Sequence, residues 1–441
     1  HAESGPTRGV PERSAEKARS ATGERESAAL GGAMFFVAND DRNGVELWKT
    51  DGTTAGTVLV KDVKPGSNGN YYPGPAELTV VGGTLFFTAA DDTHGRELWK
   101  SDGTTAGTVM VKDINPNVVP YGGYGGYDGP QHLTAVGGVV YFSADDGTNG
   151  RELWRSDGSA GGTTMVEDIA PGADSSSPDD LAALGTSVLF SATDGTTGRE
   201  LWASDGTAGG TVLVKDVDPA PGGSSYVSQL TTVGGTVFFA ADDGTHGAEL
   251  WKSDGTTAGT VMVDNIAPDD NPDYYFGPSQ LTAVGGSLFF TIGDGITHGY
   301  ELWKSDGTEA GTVMVKDVRP GGQSASPREL TPVGNTLFFT ADDGVHGREL
   351  WKSDGSDAGT VLVKDLATNP YSLQAQLTAV GGTLYFVGDD SVHGYELWKS
   401  DGTEAGTVMV EDIAPGSRGG VFDLIGAAGD TVFVLGHVEL G

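Results

Sequence analysis

Short apolar runs, each cut off by Gly, Asp or Thr, fill the chain from residue 28 to residue 436. One stretch, residues 78–114, reads LTVVGGTLFFTAADDTHGRELWKSDGTTAGTVMVKDI. Its pattern predicts four extended segments. Residues 78–81 end at Gly82-Gly83, residues 84–89 carry Phe86-Phe87, and residues 97–100 hold Trp99. Residues 108–114 alternate Val109, Val111 and Asp113 against Met110, Lys112 and Ile114. Each segment is short, β-branched or aromatic, and bounded by turn formers, which is the mark of strands. No twelve-residue stretch shows capped helical periodicity.

The pattern recurs along the chain. Glu-Leu-Trp appears eight times, at Trp48, Trp99, Trp154, Trp202, Trp251, Trp303, Trp351 and Trp398, and these are all the tryptophans. Their spacing, 47 to 55 residues, is that of a propeller or array. The two-residue Gly82-Gly83 link suits a hairpin turn with positive φ. In Ser-Asp-Gly-Thr-x-Ala-Gly, Asp102 is placed to cap the turn and Gly103 to take left-handed geometry. Each unit therefore reads as a four-stranded antiparallel meander. The fold class expected is all-β, an eight-bladed β-propeller over residues 28–441 with an extra half-repeat at the chain end. Neighbouring blades would cover each other's apolar faces, with Trp, Leu and Phe forming the core between them.

The ends count unevenly. Residues 28–36 supply the first two strands of a unit, and residues 424–435 supply them again. The surplus pair is expected to complete a blade by strand exchange, to pack outside, or to pair with another molecule. Residues 437–441 resemble the start of a further His-Gly-x-Glu-Leu-Trp, so the native chain is expected to continue. Residues 1–27, rich in Glu, Arg, Ser and Ala, read as a disordered or loosely docked leader. His1 in place of Met reads as a processed start compatible with export.

Two resemblances arise at the Trp motif. ELWKSDGTTAGT resembles the bacterial ELWxxDGT repeat proteins, found mostly among predicted exported proteins, over nearly all of residues 28–436. That resemblance implies a secreted or cell-surface location. The eleven residues ending at each Trp are similar to the tryptophan-docking motif of eight-bladed quinoprotein dehydrogenases. Ala192, Asp194, Thr197, Gly198 and Trp202 match it fully, whereas Gly293 and Gly295 depart from it in the sixth unit. The resemblance implies blade locking. It does not carry quinone chemistry over, because the vicinal cysteines of that family have no counterpart here.

Composition narrows the function classes. Against 26 Lys and Arg stand 61 Asp and Glu, a net charge of −35 over 441 residues. Such a surface repels nucleic acid and anionic lipid. Cysteine is absent, which excludes disulfides and thiol chemistry. No apolar run approaches the ~18 residues of a membrane helix.

Variable links on a constant scaffold are where recognition usually sits. These links carry Tyr71, Tyr72, Tyr121, Tyr124, Tyr127, Tyr226, Tyr274, Tyr275, Phe276 and Tyr371. Such rings suit sugars or a protein surface, or they pack their own loops. The acidic turns, with pairs such as Asp91/Asp92 and Asp145/Asp146, suit either turn capping or calcium. His94, His246, His298, His346 and His393 share one repeat position. Equivalent positions on separate blades lie too far apart to share an ion, so a turn role is expected. No nucleophile elbow, His-Glu-x-x-His or phosphate loop is present. The sequence thus points to a secreted or cell-surface binding propeller for carbohydrate or a surface partner, rather than to an enzyme. The alternatives are an assembly module that self-associates through the surplus strands, and a polysaccharide-degrading enzyme.

Overall fold

The computed structural model describes residues 8–9, 27–40, 42–65, 74–117, 129–266, 277–294, 297–366, 373–413 and 419–436. The protein is all-β, with eight four-stranded antiparallel sheets arranged as the blades of an eight-bladed β-propeller. In blade 2 the strands are Ala76–Val81, Thr84–Asp91, Gly95–Ser101 and Val109–Lys112, hydrogen-bonded in that order. The fourth strand is shorter than its alternation suggests. Beyond Lys112 the backbone turns onto Glu97, whose carboxylate accepts the N–H of Ile114 at 3.0 Å and of Asn115 at 3.3 Å. A strand ladder would have used those donors.

The turns form as their residues dictate. Gly82 and Gly83 have φ of 55° and 83°, the left-handed pair that a primed two-residue hairpin needs. In the next turn Asp102 Oδ1 accepts the Thr104 N–H and hydroxyl, both at 2.8 Å, and Gly103 has φ 87°.

The chain divides into two compact units, residues 1–213 with 425–435, and residues 214–424 with 436–441. In the first unit, Trp99 of blade 2 packs on Leu47, Val60 and Val63 of blade 1 (strands Ser27–Leu30, Ala33–Asn39, Val45–Thr50 and Val58–Lys61). Its ring stacks beside Phe87 with centroids 6.4 Å apart, and its Nε1 donates to the Ala89 carbonyl at 3.1 Å. Lys61 spans the same seam, with Nζ 5.8 Å from the Trp99 ring and 2.8 Å from the Thr108 carbonyl. Trp154 packs in the same way on Leu98, Val111 and Ile114, though its Nε1 is buried without a hydrogen-bond partner. In the second unit Trp351 belongs to the same kind of core with Val315, Val318 and Phe339. The expected core between blades is thus formed by the expected residue types.

The surplus strands form a ninth, three-stranded sheet. Its order is Arg8–Gly9, Thr431–Gly436, Val421–Ala428. Ala428 and Phe433 cover Met34, Phe36 and Ala38 of blade 1. A short piece of the leader therefore docks as a strand, running parallel to Thr431–Gly436.

Candidate functional site

The aromatic links fall largely outside what the structure describes. Tyr71, Tyr72, Tyr121, Tyr124, Tyr127, Tyr274, Tyr275, Phe276 and Tyr371 lie beyond the described residues. Tyr226 is described, stands 71% exposed, and has φ 49° between buried Ser225 and Val227.

The repeated histidines and acids serve their own turns. His94 Nδ1 lies 2.8 Å from Asp91 Oδ2, and Asp91 Oδ1 accepts the His94 and Thr93 N–H groups. The same pairing joins His246 to Asp243, His298 to Asp294, His346 to Asp343 and His393 to Asp390. The Asp91 bond raises the His94 pKa. Burial pushes Asp91 up, but the bonds from His94 and Thr93 outweigh it and leave the carboxyl below its usual range. The Asp that follows the fourth strand behaves differently in six blades: Oδ1 of Asp62, Asp113, Asp168, Asp216, Asp317 and Asp412 is buried without a hydrogen-bond partner. Among the described residues no three His, Asp or Glu side chains are grouped to hold a metal ion.

A different site emerges on the first strands. First strands of successive blades within a unit pack against one another, which makes them the inner strands. In seven of the eight blades this strand carries a residue with positive φ: Glu77 at 61°, His132 at 60°, Asp180 at 49°, Gln229 at 58°, Gln280 at 54°, Glu329 at 55° and Gln376 at 54°. The pairing with the second strand slips at this point, as between Gln131 and Thr134. A bulge of this kind re-aims a side chain, and backbone held in this region is sustained only by surrounding bonds. Here the side chain reaches the next blade. Glu77 Oε2 accepts the Leu133 N–H at 3.1 Å, and Gln280 Oε1 accepts the Glu329 N–H at 2.8 Å. Glu329 Oε2 accepts the Leu377 N–H at 2.9 Å.

His132 breaks this series. Its imidazole Nδ1 sits 3.3 Å from Asp179 Oδ1 of blade 4, and the two side chains are 40% and 50% exposed. Asp179 Oδ1 also accepts the Asp180 N–H at 2.7 Å, which fixes the carboxylate. Glu77, bonded to the residue after His132, brings another carboxylate to the same group of strands. The sequence already held the signal: in the position before Leu-Thr, the other blades place Glu, Asp or Gln, and here alone an imidazole stands. Reading histidines only at the Trp motif missed it.

No family model matches the chain, and no curated protein matches it. Solved structures resemble it. A puromycin hydrolase is 15% identical, with a TM-score of 0.39, covering 88% of this chain and 62% of its own. A prolyl endopeptidase is 16% identical with a TM-score of 0.42, covering 78% of this chain and 48% of its own. A puromycin-hydrolysing peptidase of Mycobacterium tuberculosis is 13% identical with a TM-score of 0.41, covering 86% and 61%. The chain thus spans less than two thirds of the length of each. Two expectations stand corrected: these neighbours are named as peptidases and hydrolases, not as a binding propeller for carbohydrate or a surface partner and not as non-enzymes. The likeness extends to the fold and brings no residue or substrate with it.

Proposed function

We propose that the chain is a hydrolytic enzyme in which His132, oriented by Asp179, moves the proton. Its substrate would be an amine-bearing molecule, such as a peptide with a free amino terminus. The observation that carries this reading is the repeat-breaking His132–Asp179 pair on adjacent inner strands. An imidazole with one nitrogen held by a carboxylate and the other open can take a proton from water as that water attacks a carbonyl. The Asp179 carboxylate stands beside it, Glu77 bonds the N–H of the following residue, and the net charge of −35 attracts cations from a distance.

The test is a panel of aminoacyl anilides, short peptides and their N-acetylated forms, assayed with the wild type and His132→Asn. Turnover of free-amine substrates, blunted by acetylation and abolished in His132→Asn, is the expected result. Turnover that survives His132→Asn, or a panel on which the wild type is inert, overturns the reading.

A further inference from the structure

A lysine recurs at the end of the fourth strand and lies over the tryptophan of the following blade. Its Nζ stands 5.8 Å from the ring centroid for Lys61 on Trp99 and 5.6 Å for Lys112 on Trp154. The distances are 5.6 Å for Lys215 on Trp251 and 5.7 Å for Lys364 on Trp398. The same ammonium donates to a carbonyl just before that blade's own fourth strand. The acceptors are Thr108 and Thr163 at 2.8 Å, and Thr260 and Thr407 at 2.9 Å. An aromatic face and a carbonyl thus make a seat for an ammonium ion. All four of these tryptophans are buried.

One seat in the second unit lacks its lysine. Blade 5 consists of strands Ser228–Val233, Thr236–Asp242, Ala248–Ser253 and Val261–Asp264. Blade 6 consists of Ser279–Val284, Ser287–Gly293, Tyr300–Ser305 and Val313–Lys316. The register sets Asp264 opposite Leu250, the place that Lys112 takes opposite Leu98 and Lys364 opposite Leu350. The ring of this seam is Trp303, which packs on the core of Leu250 and Val263 yet is only partly buried. Thr312 holds the place of the four accepting threonines. Glu309 adds a second carboxylate. Its counterpart one blade on, Asp357, receives Lys316 Nζ at 3.1 Å on both its carbonyl and Oδ1, so a side chain at this position reaches a lysine ammonium. Burial, and then the charge of Glu309, raise the Asp264 pKa against the Asn265 N–H that its carboxylate accepts. Among the described residues neither Asp264 nor Glu309 lies within ion-pair distance of a Lys or Arg. Lys252 keeps its own repeated place on the Gly307 carbonyl at 2.6 Å, as Lys49 does on Gly103 at 2.7 Å. Residues 267–276, outside the described residues, contain no Lys or Arg. In the first unit Glu167 likewise takes the lysine position, opposite Leu153, and Trp202 is likewise only partly buried. Ala208 stands there in the place of Glu309, so that seam has one carboxylate instead of two.

We propose that the seam between blades 5 and 6 binds the ammonium group of a small alkylamine. The cation would rest on the Trp303 ring and the Thr312 carbonyl and pair with Asp264 and Glu309. Two carboxylates beside an aromatic face select positive charge. An alkylammonium also brings an apolar stem, which covers the ring as the methylene stem of a lysine does. A hydrated metal ion has no such stem. The site lies on outer strands and is independent of the proposed reaction.

The test follows the Trp303 fluorine signal of the 5-fluorotryptophan-labelled chain, assigned with Trp303→Phe. The probe is n-butylammonium chloride, titrated at constant ionic strength, with n-butanol as its neutral counterpart. The wild type should show a saturable shift with n-butylammonium and none with n-butanol. Asp264→Lys supplies the seam with an ammonium of its own, as in the four lysine seams, and should abolish the shift. Asp264→Asn combined with Glu309→Gln should weaken binding about tenfold, because each exposed ion pair adds little alone. This second variant carries the test if Asp264→Lys does not fold. A signal that n-butylammonium leaves unmoved, or that n-butanol moves equally, overturns the proposal. So does binding unchanged in the variants. A shift produced by calcium or potassium chloride in place of the amine would assign the seam to a metal ion and overturn it equally.

Discussion

The Asp102 carboxylate lies over the α-carbon of Gly107, so close that a methyl group there would meet Oδ1 at 2.1 Å. The same relationship joins Asp51 to Gly56, Asp254 to Gly259 and Asp401 to Gly406. The repeated Ala-Gly is therefore a matter of room for the capping acid. Gly107→Ala should destabilise the protein by about 1–3 kcal/mol, the usual range for overpacking. Asp102→Ala removes the obstruction along with the cap. The double variant should therefore be more stable than the sum of the single changes allows. Thermal melts of the four proteins check this, and strict additivity would refute it.

Glu97 is buried at 2% exposure, and burial raises its pKa to about 7 even though two backbone N–H groups favour the charged form. Glu46 and Glu301 are raised to about 7 in the same way. In the unfolded chain such groups titrate near 4.5. Between those values the folded protein holds protons that the unfolded chain has released. The stability due to these glutamates is full below about pH 4.5 and is lost as pH rises through about 7. Denaturant melts should show stability declining from pH 5 to pH 7.5. Glu97→Gln should make that decline shallower, by up to about 1.4 kcal/mol per pH unit. It should cost little at low pH, where the protonated carboxyl of the wild type also turns an O–H toward one of the two backbone N–H groups. An unchanged slope would show that Glu97 is ionised throughout.

Trp99 ties blade 2 to Leu47, Val60 and Val63 of blade 1. Trp99→Ala should destabilise by about 3–5 kcal/mol, the range for emptying a large aromatic site. Lys61→Met keeps the methylene stem and loses the charge above the ring, and should cost no more than about 1 kcal/mol. Equal losses in calorimetric melts would mean that the cation, not the packing, holds the seam.

The sequence made the blades legible because every unit states the same answer through three independent signals. Glu-Leu-Trp marks the third strand, Gly82-Gly83 the hairpin, and Asp102 the capped turn. The fourth strand read too long because alternation does not show that Glu97 takes the N–H of Ile114, a bond spanning 17 residues. The inner-strand site stayed hidden for a related reason. His132 and Asp179 lie far apart in sequence, and what places them together is the bulge and positive φ of one first-strand residue in each of their blades. Nothing in the local polarity of Gln131, His132 and Leu133 announces a left-handed residue. Only a column-by-column comparison of the repeats would have shown an imidazole where the other blades carry Glu, Asp or Gln.

Asp179 is a positioning residue in the proposed reaction, and its effect is separable from that of charge. In the proposed reaction Asp179, whose Oδ1 lies 3.3 Å from His132 Nδ1, keeps the proton on that nitrogen, so that Nε2 accepts. An Asn there can offer its NH2 to Nδ1 and drive the proton to Nε2, which disables the base. Asp179→Asn should lower kcat by about 10²–10⁴, the range of a general-base contribution. Glu77→Gln is the comparison. Its amide oxygen still accepts the Leu133 N–H, as the Gln280 oxygen accepts that of Glu329. The change therefore removes charge without removing the link between blades. It should raise KM for amine-bearing substrates and leave kcat and the pH profile in place. Steady-state rates between pH 5 and 9 distinguish the two. If both variants change KM alone, His132 contributes to binding and the proton moves elsewhere.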